Sequence, residues 1–157
     1  MRISKEGHKL TTQGLFPDPD KVRVVREFSI PSNTRQLKGF LGLAGYYRRF
    51  IPNFSKIAKP LTQLLRRNIP FVWNHRTDEA FNTLKKLLTE EPLLHYPDFT
   101  KPFVLTTDAS NEALGAILSQ GPIGDLPVAY ASRTLVNAEK NYSTTEELLA
   151  IVWGCKK

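Results

Sequence analysis

Apolar residues recur at helical spacing along 34–51, where Leu37, Phe40, Leu41, Ala44, Tyr47 and Ile51 fall on one face. The pattern predicts an amphipathic helix. Asn33 followed by Gln36 reads as a capping box at its start, and Pro52 marks its end. Upstream, Asp18 before Pro19 is an N-cap with proline at the first helical position. That short helix should run to about Phe28 with Val22 and Val25 inward, and Pro31 stops it. Ile57, Leu61, Leu64 and Leu65 make a third apolar face, with Pro60 near its start or at a kink. Residues 67–75 look irregular. Thr77 should then cap a helix that turns Ala80, Phe81, Leu84, Leu87 and Leu88 inward.

Beyond residue 100 the pattern shortens to strand-like runs. Strands are expected at about 103–109, 113–120 and 127–134, with the turn-rich GPIGDLP between the last two. RIS and HKL near the start flank the turn-like KEG, and residues 1–16 read as the end of a hairpin begun elsewhere, its partner strand absent. A last helix should begin near Thr144 and place Leu148, Ile151, Val152 and Cys155 on its apolar face. The fold class is therefore α+β: a small helical bundle, then a three-stranded sheet with one helix.

Apolar content of 41% and charged content of 24% are those of a globular chain, and 157 residues suffice for one ordinary domain or two small ones. No run reaches the roughly 18 apolar residues of a membrane span, and the first residues lack a signal-peptide core. No membrane partner is expected, and the expected location is intracellular, cytoplasmic or nuclear. A single cysteine, Cys155, excludes an internal disulfide, and His8, His75 and His95 show no zinc-ligand spacing. Charge is uneven. Residues 1–70 carry 14 Lys/Arg against 4 Asp/Glu, a net of +10; residues 71–157 carry 8 against 11, a net of −3. A basic half of this kind suits contact with phosphate, and it equally suits a solvated surface.

The predicted helix 34–51 gives the basic half a specific shape. Opposite its apolar face lie Arg35, Lys38, Gly39, Gly42, Tyr46 and Arg49. Each glycine inside a helix costs roughly 1 kcal/mol relative to alanine. Close approach of a second backbone would offset that, either another helix or a nucleic-acid groove. In the acidic half, Asp108 ends an apolar run and Glu147 opens an apolar-periodic segment. A strand carboxylate with a helix carboxylate is the beginning of a site for hard divalent cations. Asp108 with Ser110 and Asn111 could instead form an Asx turn, and Glu146 and Glu147 could serve as capping acids for Ser143 and Thr144.

VLTTDAS, ALGAILSQ, PVAYASRTL and NYSTTEELLAIVW together resemble the first part of the ribonuclease H domain of Ty3/gypsy-type retrotransposon reverse transcriptases. The stretch from KVRVVREFSIPSNTRQLKGFLGLAGYYRRF to IPNFSKIAKPLTQLL resembles the thumb of the same Pol polyprotein, and FVWNHRTDEAFNTLKKLLTEEPLLHYPD its connection. The resemblance implies four segments: a palm-hairpin remnant at 1–16, a thumb-like subdomain at 17–67, a connection at 68–100 and the N-terminal part of a ribonuclease H-like domain at 101–157. It implies RNA–DNA hybrid or template–primer duplex as partner, with Gly42 and Tyr46 where the family places groove contacts. It matches Asp108 and Glu147 to the first two of four catalytic, metal-holding acids, with Mg²⁺ as cofactor of the complete enzyme. The chain departs from the pattern where Glu146 and Glu147 are adjacent. The polymerase aspartates and the later ribonuclease H acids are missing from it, so this incomplete set should hold Mg²⁺ weakly or not at all. The parent activity would be RNA-directed DNA polymerase with hybrid ribonuclease. The alternative is a non-catalytic nucleic-acid-binding or protein-interaction remnant. A sheet this short should leave one face underburied and expose Leu148 and Trp153.

Overall fold

The computed structural model describes residues 2–3, 7–90, 92–137, 139 and 146–156, the side chains of 2, 3, 146 and 147 excepted. The chain opens on a small antiparallel sheet of β1 (Arg2–Ile3), β2 (His8–Leu10) and β3 (Leu15–Pro17). The strands of this segment find partners within it, β1 with β2 and β2 with β3, where the sequence suggested a hairpin completed from elsewhere. Leu15 exchanges backbone hydrogen bonds with Leu94 at 2.8 and 3.0 Å, which stitches this sheet to the middle of the chain.

Four helices follow: α1 (Pro19–Glu27), α2 (Thr34–Tyr46), α3 (Phe54–Gln63) and α4 (His75–Thr89). Asp18 caps α1 by accepting from Asp20 N at 3.0 Å. Asn33 caps α2 by accepting from Gln36 N at 2.9 Å, but Gln36 reaches back to Ser32 N, one residue further than a capping box requires. Helix α2 is shorter than its apolar pattern predicts. It ends at Tyr46, and a 3₁₀ turn, Arg48–Phe50, carries the chain to Ile51. Pro52 forces Ile51 into extended backbone, so the last turn tightens instead of continuing. Helix α4 begins a turn earlier than expected. Asn74 is its cap, and Thr77 is the N3 partner, donating to and accepting from Asn74 in a reciprocal box.

One core joins all four helices. Val25, Leu37, Phe40, Ala44, Tyr47, Leu61, Phe81 and Leu84 are buried in it. Phe40 lies at its centre, with its ring 4.5 Å from Phe81 of α4 and 5.4 Å from Phe28 after α1. Segment 68–100 therefore contributes α4 to the same core as 17–67.

A second antiparallel sheet has the order β4 (Val104–Ala109), β5 (Ala113–Gln120), β6 (Leu126–Thr134). Helix α5 (Glu146–Cys155) covers one face. Its inward residues are Leu149, Ala150 and Trp153, not the Leu148, Ile151, Val152 and Cys155 face that periodicity suggested. The segment is apolar all round, so small residues decide. Ala150 is fully buried, and Gly154 lies against Leu105 and Ala116 where a larger residue would hold the helix off. Leu148, Ile151 and Val152 are exposed as a result, whereas Trp153 is partly covered.

The opposite sheet face is not bare, as expected from the sequence, but carries the segment 48–59. Ser55 N donates to Ser132 Oγ at 2.9 Å, Arg48 donates to the Ser132 carbonyl, and Lys59 pairs with Glu112. Gly115 permits this approach: a Cβ there would lie 2.3 Å from Asn53 Oδ1.

Past β6, Arg133 holds Glu139 through two parallel hydrogen bonds of 2.7 and 2.9 Å, and Val136 N donates to the same carboxylate at 3.1 Å. The guanidinium first, then the backbone donor, pulls the Glu139 carboxyl from its ordinary 4.5 down to about 2. A carboxyl lowered on folding stabilises the fold above its unfolded pKa, and that contribution fades as pH falls from about 4.5 through about 2. Melting of the wild-type and Glu139→Gln chains should therefore differ most above pH 4.5 and converge toward pH 2. A gap independent of pH would remove the linkage.

Candidate nucleic-acid interface

Burial of Leu37, Phe40 and Ala44 turns the opposite face of α2 to solvent. Arg35, Lys38, Gly39, Gly42 and Tyr46 lie exposed along it, and Arg49 extends the row from the 3₁₀ turn. Among the described residues, Arg35, Lys38 and Arg49 form no ion pair. Among the described residues none packs closely on the glycines of this helix: a Cβ on Gly42 or Gly45 would meet none of them within 4 Å, and one on Gly39 would only graze the Phe28 ring at 3.9 Å. Tyr46 is about half exposed (52%) and lies near-parallel to His8, with ring centroids 5.7 Å apart and planes 26° apart. Tyr47, behind it, is fully buried and donates its hydroxyl to Gly7 O at 2.7 Å. Burial pushes that phenol from its ordinary 10 up to about 12.

Asp108 stands next to last on β4, exposed, and paired across the sheet with Gly115, which pairs in turn with Ser132. Among the described residues nothing hydrogen-bonds or ion-pairs with its carboxylate. The following turn is made by Ser110, whose Oγ accepts from Ala113 N at 3.2 Å and from Glu112 N at 3.4 Å. An Asx turn at Asp108 is thereby excluded. Helix α5 covers the face of Leu105 and Ala109, so strand alternation points Asp108 to the other face, that of Gly115 and Ser132. The end of α5 lies over Leu105 and its middle over Ala109, which brings its start to the Asp108 end of the sheet. Glu147 is the second residue of that helix, with its side chain outside the described residues, as is the expected capping at Ser143 and Thr144.

An exposed carboxylate without a protein partner is a suitable oxygen donor for Mg²⁺. Among the described residues no group of three or more His, Cys, Asp or Glu side chains gathers to hold a metal, so Asp108 belongs to no such group there. Nor is any described helix long and apolar enough to cross a membrane. Sequence reasoning missed the ring contact of His8 with Tyr46, 38 positions away, and that of Arg48 with the Ser132 carbonyl, 84 positions away, both beyond the reach of any local pattern.

Residues 73–157 match the family described as the RNase H-like domain found in reverse transcriptase. The chain belongs to that family. The match begins at Trp73 and so takes in α4 together with the second sheet. Curated relatives of this RNase H-like reverse-transcriptase region extend over the helical half as well. The Pol polyprotein of transposon 297 of Drosophila melanogaster is 49% identical across 96% of the chain, and that of transposon gypsy from the same species is 42% identical across 100%. The Tf2-3 polyprotein of Schizosaccharomyces pombe is 35% identical across 96%. The Ty3/gypsy resemblance read from the thumb-like and ribonuclease H-like motifs is borne out. The chain spans 14%, 17% and 12% of the lengths of these relatives.

Solved structures share the fold. The foamy viral protease-reverse transcriptase dRH in complex with double-stranded DNA is 25% identical with a TM-score of 0.78, covering 96% of this chain and 28% of that one. The foamy viral protease-reverse transcriptase in complex with RNA/DNA hybrid is 24% identical with a TM-score of 0.80, covering 96% and 21%. RNase H-like domains of this kind generally use divalent metals.

Proposed function

We propose that this region binds the RNA–DNA hybrid or template–primer duplex of a retroelement reverse transcriptase, and that the outer face of α2 is the contact. The observation that carries the reading is the open strip over Gly42 and Gly45, where no described residue comes near, flanked by Arg35, Lys38 and Arg49. Bare helix backbone can approach sugars in a shallow minor groove, Tyr46 can lie against sugar edges, and the cations can meet phosphates. A relative of the same fold is described in complex with double-stranded DNA, which supports a duplex as the partner.

In this reading the helical half binds and the sheet half contributes to hydrolysis of the RNA strand. Asp108 and Glu147 are the residues that would hold Mg²⁺, with further acids supplied by the rest of a Pol polyprotein. The metal, when bound, polarises the scissile phosphate and activates water. Asp108 supplies one of its oxygen ligands. The apolar outer face of α5, with Leu148 60% exposed, supports contact with that remaining polypeptide.

Gly42→Leu tests the α2 contact directly. The new Cβ meets no described residue, and leucine is the better helix former, so the melting temperature should hold or rise. Filling a close backbone approach costs about 1–3 kcal/mol, so hybrid affinity should fall about tenfold. Arg49→Ala should weaken all hybrid sequences alike and lower the slope of log affinity against log salt by about one. Filter binding across a salt series reads both. Unchanged affinity for Gly42→Leu would remove α2 from the interface.

A further inference from the structure

We infer that His8 is a positioning residue for nucleic-acid binding, holding the Tyr46 ring in place on the duplex-facing side of α2; this rests on the reading of α2 as the duplex contact. His8 sits on β2 and is 7% exposed, in a cluster formed by Tyr46, Tyr47 and Phe50. Its ring lies 5.7 Å from each of the three rings. It is near-parallel to Tyr46 at 26° and to Phe50 at 29°, and edge-on to Tyr47 at 79°. Phe50 is buried on the 3₁₀ turn, so the imidazole links an exposed ring to a fixed one.

The position of His8 is itself held. The Gly7 carbonyl accepts from Tyr47 Oη at 2.7 Å and from Asp18 N at 3.2 Å, which ties the hairpin backbone to α2 and to the start of α1. A tyrosine half in solvent would ordinarily sample several rotamers and lose that freedom on binding. With one ring face against His8 and an edge against Tyr47, 4.9 Å away, Tyr46 is ordered before the duplex arrives. The first hairpin therefore contributes to binding through a ring that need not touch the nucleic acid.

The test is a double-mutant cycle on the 157-residue chain, with a labelled RNA–DNA hybrid and anisotropy as the readout. Tyr46→Ala should weaken binding about tenfold. His8→Ala should weaken it about fivefold, within what an aromatic pair supplies, while the salt slope stays unchanged because no phosphate contact is lost. In the Tyr46→Ala background His8→Ala should change affinity by less than about twofold. His8→Phe keeps a ring that can stack and should bind within about twofold of wild type. Equal losses from His8→Ala in both backgrounds would mean that it acts through the stability of the hairpin, which overturns the proposal. His8→Phe behaving like His8→Ala overturns it too. If Tyr46→Ala weakens binding and His8→Ala does not, the proposal falls and the α2 reading stands. If Tyr46→Ala has no effect, both fall at this position.

Discussion

Truncating Phe40 to alanine should destabilise the whole helical half by about 3–5 kcal/mol, the range for removing a fully buried aromatic side chain. Phe40 is fully buried, and its ring bridges α2 to Phe81 on α4 and to Phe28 beyond α1. Its loss opens a cavity where three segments meet, and no neighbour can collapse into it without leaving another partner. For a chain of this size such a change lowers the melting temperature by roughly 10 °C or more. Phe40→Leu should recover much of the loss by keeping most of the volume. Thermal unfolding followed by circular dichroism checks this. If Phe40→Ala melted within a few degrees of wild type, α1, α2 and α4 would not share a single core.

The second large effect concerns chemistry. In a longer form of this polypeptide that carries the remaining acids of the ribonuclease H site, Asp108→Asn should lower RNA-strand cleavage by roughly a thousandfold. That corresponds to about 4 kcal/mol of lost charge stabilisation around the metal. The same substitution should leave melting nearly unchanged, because Asp108 is exposed and no described residue bonds to its carboxylate. Hybrid affinity should stay within about twofold, since binding is placed on α2. A labelled hybrid on a gel, with a melting curve beside it, separates the three quantities. Normal cleavage by Asp108→Asn would remove the residue from the metal site.

What could be read from the sequence follows the range of the interactions. The inner face of α2 was legible because Leu37, Phe40, Ala44 and Tyr47 repeat against polar neighbours, and Asp18 and Asn33 announce helix starts by local hydrogen bonds. The strands of the second sheet were legible to within a residue for the same reason, whereas β3 was not. The inner face of α5 was not, because LLAIVW is apolar on every side and the small residues Ala150 and Gly154 decide which side sits close. Asn74 lost to Thr77 in the reading because both are capping residues three positions apart, and the reciprocal box uses both. The contact of 48–59 with the second sheet joins Ser55 to Ser132 across 77 positions, and no periodicity encodes it. The cationic strip on α2 could be read from spacing, but that no described residue packs on Gly42 and Gly45 is a fact of tertiary structure.

The two long edges of the second sheet have unequal fates. At one end of β6 the His95 amide donates to the Pro127 carbonyl at 2.8 Å, and at the other Arg48 takes the carbonyl of Ser132. Groups that a neighbouring strand would need are thus already engaged. Among the described residues nothing pairs along the outer side of β4. The margin of β4 is therefore the more open one: a further strand, whether from elsewhere in a polyprotein or from another molecule, meets fewer engaged groups there than beside β6. Asp108 sits on that open margin. A charged side chain on an edge strand disfavours indiscriminate strand addition, so the carboxylate that would bind a cation also blunts that open edge of the sheet.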